Sequence, residues 1–170
     1  MVFMSESLLR TGGDFTGIYN RHVNTVYRVA LTILNNVPEA EDATQTAFLK
    51  LISSEKAFEN DEHIKAWLIV TTQNVCRNML KNWWRAKRVD METIAELPSH
   101  EEPIDSEVWS AVTSLDKKYR ILVYLHYYEG YKTEEIAGML GINHATIRTQ
   151  LRTARQKLKL ILEDGDYAFE

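Results

Sequence analysis

Apolar residues recur at spacings of three and four along most of the chain, broken at polar, Gly- or Pro-containing positions. That pattern predicts amphipathic helices rather than strands. Residues 1 to 13 read as a loose lead ending in Gly12-Gly13, and Asp14 can cap a first helix. In that helix Phe15, Ile18, Tyr19, Val23, Val26, Tyr27, Ala30, Ile33 and Leu34 hold the period to about Asn35. Asn35-Asn36-Val37-Pro38 reads as a turn, with Pro38 suited to a first helical position. The second helix opens with Glu39, Glu41 and Asp42, the charge its dipole favours. Its buried stripe is Ala40, Ala43, Ala47, Phe48, Leu51 and Ile52, while Asp42, Gln45, Thr46 and Leu49 fall on or near the opposite faces.

Ser53 to Glu62 is a polar stretch around Phe58. Its ring either tucks under the domain or stacks on an unpaired base; the tuck is the simpler expectation. Asp61 or Glu62 begins a long helix reaching about Ala86. Ile64, Trp67, Leu68, Thr71, Val75, Met79 and Leu80 make its inner face, and Lys65, Asn74, Arg77, Asn78 and Lys81 a polar, increasingly basic one. It ends in Trp83-Trp84-Arg85-Ala86-Lys87-Arg88. Rings beside cations suit single-stranded nucleic acid, or else one Trp packs on the domain and the other on the linker.

Residues 89 to 104 lose the period and carry Pro98 and Pro103, as a linker does. Asp105 can cap a helix with Val108, Val112 and Leu115, and Asp116 another with Ile121, Leu122, Leu125 and Tyr128. Next, Thr133 can cap a short helix with Ile136, Ala137 and Leu140 inward, and Gly141 can stop it in the left-handed conformation. Asn143 can cap the last helix, where Ile147, Leu151, Ala154, Leu158 and Ile161 face inward. Two helices joined by a short Gly turn, the second one basic, read as a helix-turn-helix whose second helix enters a major groove. His144, Thr146, Arg148, Thr149 and Arg152 lie where base edges could be reached, since Arg can grip guanine with two bonds and Thr can pack its methyl on thymine. Arg155, Lys157 and Lys159 are better placed for phosphates. An αα-hairpin with a solvated basic face is the plainer alternative. Glu163 to Glu170 read as an acidic, frayed tail. The fold class is therefore all-α: two small helical domains, residues 14–88 and 105–163, joined by a flexible acidic linker, with residues 164–170 as the tail.

The net charge of -4 at first argues against a polyanion partner. Its distribution reverses that inference. Arg77, Lys81, Arg85, Lys87 and Arg88 form one cluster with no acid among them, and no acid lies between Gly141 and Leu162. Between these clusters, from Val89 to Val108, stand Asp90, Glu92, Glu96, Glu101, Glu102, Asp105 and Glu107, with no Lys or Arg among them. Two cationic surfaces on an acidic tether suggest two contacts on one polyanion. One cysteine, Cys76, excludes a disulfide framework and suits a reducing cytosol. No stretch approaches a membrane span, so a cytoplasmic protein is expected. The five histidines have no zinc spacing, no phosphate-cradling Gly loop or nucleophile elbow occurs, and neither catalysis nor a metal or cofactor is expected.

Three segments together resemble the extracytoplasmic-function sigma factors of bacterial RNA polymerase, over about residues 14 to 162. Glu41-Asp42-Ala43-Thr44-Gln45-Thr46-Ala47-Phe48-Leu49-Lys50-Leu51 is similar to that family's clamp-binding helix. Ala66-Trp67-Leu68, Asn74 and the basic run to Arg88 are similar to its melted-promoter helix. Tyr128-Glu129-Gly130-Tyr131 through Thr146-Ile147-Arg148-Thr149 and Ala154-Arg155 are similar to its upstream-element reader. The resemblance implies that the chain binds core RNA polymerase, at its clamp coiled coil and flap, and promoter DNA. It implies Asp42 and Gln45 on the clamp with Phe48 supporting them from the core, and Phe58 and Asn74 at a flipped base, with Arg77, Asn78 and Lys81 on the same strand. It also places Arg148, Thr149, Arg152 and Thr153 on the upstream element. An anti-sigma factor as inhibitor and a monomeric state follow by the same analogy. The sequence departs from the family at Thr46, usually an acid, at Gln150 and Thr153, usually basic, at Leu115-Asp116, often Leu-Pro, and at His144. The rival reading is a stand-alone helix-turn-helix regulator, typically a dimer on a palindrome.

Overall fold

A computed structural model describes residues 14–86 and 106–166. They belong to two compact units, one within Met1–Leu97 and the other within Pro98–Glu170. The expected lead, the linker, the Asp105 cap and the final four residues lie outside the described residues, as do the expected domain ends at 88 and 105.

In the first unit α1 (Phe15–Leu34), α2 (Val37–Ser53) and α3 (Asp61–Ala86) each pack against the other two. The α1–α2 turn is closed from both sides. Asn35 takes a left-handed conformation (φ 50°) and its N–H bonds the Leu31 carbonyl, while the Asn36 side chain accepts from the Glu39 N–H at 3.0 Å. Pro38 thus sits second in α2, where a missing N–H still costs nothing. Asp14 occupies the cap position of α1 but its side chain makes no capping bond.

The core joins Ile18 and Val26 of α1 to Ala47, Phe48 and Leu51 of α2 and to Ile64 and Leu68 of α3. Two assignments from spacing are corrected. Ile52 follows Phe48 by four yet is exposed: Leu51, one residue earlier, stays buried, and Ile52 lies about 100° further round the helix, on the side of the exposed Gln45 and Leu49. On α3 the buried threonine is Thr72, not Thr71. Its hydroxyl donates to the Leu68 carbonyl at 2.7 Å, which satisfies it inside the core.

One polar knot ties α1 to α3. His22, almost fully buried, reaches the Asp61 carboxylate at 2.9 Å, and Arg21 reaches the same oxygen at 3.0 Å. Burial pushes the Asp61 carboxyl up, but the His22 and Arg21 bonds outweigh it and leave the group below its ordinary value of 3.8. A carboxyl depressed by folding stabilises the fold above its unfolded value and loses that contribution as pH falls through the lower folded one. Asp61→Asn is therefore expected to cost stability at neutral pH. The gap to wild type should close as pH drops below 3.8. The carboxyl is 45% exposed, so solvent screening keeps the effect to about 1 kcal/mol or less. Urea melts at neutral pH and at successively lower pH measure it; a gap independent of pH would contradict the assignment.

The second unit contains α4 (Ser106–Ser114), α5 (Lys117–Val123), a wide π-helical turn (Tyr124–Tyr128), α6 (Thr133–Leu140) and α7 (His144–Asp166). Val112, Leu115, Tyr119, Val123 and Ala154 share a core, with Leu158 at its edge. Ile161 is exposed, so the inward stripe of α7 ends at Leu158 rather than continuing. The helix itself runs on to Asp166, past the expected start of a frayed tail. Val108 and Tyr128, both inward by spacing, are also exposed. For Tyr128 the cause is the wide turn: Glu129 bonds back five residues to the Tyr124 carbonyl, which re-aims every side chain after Tyr124.

Candidate nucleic-acid interface

The helix-turn-helix is built as its local chemistry requires. Gly141 (φ 65°) ends α6, and the Ile142 N–H returns to the Ala137 carbonyl at 3.1 Å. Asn143 caps α7, its side chain accepting from the Ala145 N–H at 2.8 Å. The start of α6 differs from expectation. Lys132 holds the cap position, and the Glu135 carboxylate reaches back to its N–H at 2.7 Å. Thr133 sits inside the helix, and its hydroxyl lies 2.7 Å from His144 Nε2. Glu134 approaches the same nitrogen at 3.5 Å. A bond from its own backbone N–H, and secondarily His144, hold the Glu134 carboxyl below its usual range. His144, expected at a base edge, is thus engaged with α6 across the turn.

The remaining upstream candidates stand on the outer side of α7. Thr146, Arg148, Thr149, Arg152 and Arg155 are exposed and Thr153 half-buried. Thr149 and Thr153 donate their hydroxyl protons to the carbonyls of Ala145 and Thr149, both at 3.1 Å. Each hydroxyl can then only accept from a ligand. Arg148, Thr149, Arg152 and Arg155 line an open groove of about 430 Å³ together with His126 and Tyr127. These last two come from the π-helical turn and carry no sequence signal, because the insertion that re-aims them is invisible to a helical period. The two later cations are differently employed. Lys157 pairs with Asp116 at 3.2 Å and lies over the Tyr119 ring, and Lys159 pairs with Glu163 at 3.6 Å. Asp116 makes no side-chain cap to α5; Lys157 takes its carboxylate.

In the first unit α3 presents Asn74, Arg77, Asn78 and Lys81, all exposed. Phe58 is not among them. It is 7% exposed and belongs to the core, edge-on to His63 at 5.3 Å and to Trp67 at 5.6 Å. The tuck is what the structure contains, and a stacking role for this ring does not fit its burial. On α2, Asp42 and Gln45 are exposed and Phe48 lies beneath them in the core, against the rings of Phe15 and Tyr19. Leu49 (64% exposed) and Ile52 (46%) share the outer side of α2 with them. Two carboxamide or carboxylate groups beside two bared aliphatic side chains make a surface suited to a protein partner.

The Sigma-70 region 2 family matches residues 18–86, and the Sigma-70, region 4 family residues 105–158. The chain belongs to the sigma-70 family, in its extracytoplasmic-function class. The first unit is thus region 2 of this sigma factor and the helix-turn-helix unit its region 4. Over 147 residues it is 29% identical to the RNA polymerase sigma factor SigV of Bacillus subtilis, covering 85% of this chain and 89% of that one. It is 28% identical over 155 residues to the ECF RNA polymerase sigma factor SigE of Mycolicibacterium smegmatis, covering 84% of this chain but 59% of that relative. In fold it is similar to the sigma factor RpoE of Bartonella quintana, solved in complex with the anti-sigma factor NepR. The TM-score is 0.72 at 22% identity, with 88% of this chain and 97% of that one covered.

Proposed function

We propose that this sigma factor directs core RNA polymerase to promoters by holding duplex DNA with region 4 and one separated strand with region 2, performing no chemistry of its own. The observation that carries the reading is the pairing, in one chain and in family order, of two units with separate outward cation faces. One is the outer side of α7 from His144 to Leu162, a stretch without an acid, the other the Asn74-to-Lys81 face of α3. In this scheme Arg148 and Arg152 read base edges and Arg155 holds phosphate, with Thr146, Thr149 and Thr153 alongside; His144 acts indirectly, by fixing α7 against Thr133. Asn74 captures the flipped base, Arg77, Asn78 and Lys81 follow the strand, and Phe58 forms the wall beneath. The Asp42, Gln45, Leu49 and Ile52 surface docks on the clamp coiled coil, and region 4 on the flap.

The chain works as a monomer in the cytoplasm, where its template is; no helix among the described residues is long and apolar enough to cross a membrane. An anti-sigma factor, as in the similar RpoE complex, would inhibit by covering these same faces. The residues between the two units are outside the described part of the structure; their acidity fits passage near the polymerase's RNA channel.

Transcription in vitro with bacterial core enzyme on fragmented genomic DNA tests the whole. Specific starts that depend on the added chain are expected, and their absence would overturn the proposal. Within it, Arg148→Ala is expected to lose about 1–3 kcal/mol of discrimination at one promoter position. Binding measured across a panel of single-base promoter variants checks this. An equal loss on every sequence would make Arg148 a phosphate contact instead.

A further inference from the structure

The last two turns of α3 stand clear of the core: residues 81–86 are all exposed. They contain two adjacent indoles, Trp83 (37% exposed) and Trp84 (68%), with ring centroids 5.2 Å apart and planes at 88°. Neither belongs to the core of its unit. Leaving that much aromatic surface in water is unfavourable, and Trp84 has no place in the core formed among the described residues of the unit.

Helical phase separates the two. Counting from Asn74, Trp84 follows Arg77 by seven and Lys81 by three, so it continues the polar face that bears Asn74, Arg77, Asn78 and Lys81. Trp83 follows Cys76 by seven and Thr72 by eleven, so it continues the buried face beyond the end of the core. An edge-to-face pair occupies at most one face of each ring, so Trp83 braces Trp84 from behind without covering it. The flanking sequence supplies cations and no acid: Arg85 lies next to Trp84, and no acid occurs between Glu62 and Asp90.

We propose that Trp84 is a stacking site for an unpaired base of single-stranded DNA, braced by Trp83, with Lys81 and Arg85 on the flanking phosphates. An exposed ring between cations on a helix meets both requirements of single-strand binding, a π surface for the base and positive charge for the backbone. A protein partner is less suited, because the face offers no anion to pair with and only one large apolar group. The site rests on the promoter-strand role assigned to α3 and extends that face by a full turn past Lys81.

The test uses the full chain and a fluorescein-labelled oligonucleotide, single-stranded, as the matching duplex, and as a single strand carrying abasic sites. Trp84→Ala is expected to weaken single-strand binding roughly tenfold, in line with the cost of removing one stacked ring. Trp84→Phe should recover most of it, and duplex binding should change little. Wild type should quench its indole emission with the intact strand and not with the abasic one. Trp83→Ala should weaken the same binding less. An unchanged affinity in Trp84→Ala, or an equal loss on strand and duplex, would overturn the site. So would a Trp84 emission already shielded from acrylamide in the free chain, since another part of the chain would then cover it. Core-polymerase binding, measured separately, keeps the two proposals apart: a chain that stacks bases but ignores polymerase sinks the sigma role and leaves the stacking site standing.

Discussion

Asp42→Ala and Gln45→Ala, introduced together, are expected to abolish binding to core RNA polymerase while leaving the fold intact. Both side chains are exposed on α2, and no core contact depends on them. Exposed substitutions of this kind usually change stability by about 0.5 kcal/mol or less. At an interface the same pair sits beside Leu49 and Ile52, and polar groups against an apolar anchor become strong contacts once water is excluded. If each is worth about 2 kcal/mol, the loss is on the order of a thousandfold in affinity. Leu49→Ala should produce a comparable defect at little cost to the fold, since a leucine bared to this extent contributes little to the core. Fluorescence anisotropy with labelled sigma factor and core enzyme reads affinity, and thermal melts of the same samples read the fold. Wild-type affinity in the double variant would remove α2 from the docking surface.

The helices were legible because their apolar positions repeat at three and four, and because Asn36, Gly141 and Asn143 carry specific backbone roles at their ends. What escaped was whatever depends on distant neighbours. Ile52 obeys the period from Phe48 but sits at the flank of the covered arc, with Leu51 beside it still buried, and Ile161 lies past the core contacts of α7; spacing cannot reveal where that cover stops. Taking Trp67 as core draws in Thr71, four residues on, when Leu68 and Thr72 define the true centre of the face. The His22–Asp61 bond joins residues 39 apart, and nothing local marks either as its partner. The turn at Tyr124–Tyr128 adds one residue to a helical repeat, so Tyr128 swings out and His126 and Tyr127 reach the groove beside Arg148 and Arg152. On α7 the spacing alone marks the cationic side chains as an outward set. Only the structure separates Arg155, which lines the groove, from Lys157 and Lys159, which are held by Asp116 and Glu163.

Phe58→Ala is expected to destabilise region 2 by about 3–5 kcal/mol, the usual cost of emptying a buried phenylalanine site. The ring touches Trp67 and His63 and fills the gap under the polar stretch between α2 and α3. For a unit of this size that corresponds to a fall in melting temperature of roughly 12–40 °C, enough to remove activity by unfolding alone. Loss of promoter opening in Phe58→Ala therefore says nothing about base capture. Phe58→Leu separates the two causes, because a leucine retains much of the apolar bulk and none of the stacking surface. A core ring predicts that Phe58→Leu melts modestly lower and still supports strand opening, read by permanganate footprinting of the promoter. A base-stacking ring predicts the reverse, near-normal melting with opening lost. Asn74→Ala supplies the reference, since Asn74 is exposed and its loss should impair opening with little change in melting. If Phe58→Leu instead behaves like Asn74→Ala, the loop around Phe58 must release the ring when DNA binds, and its burial in the free chain would be only one of its two positions.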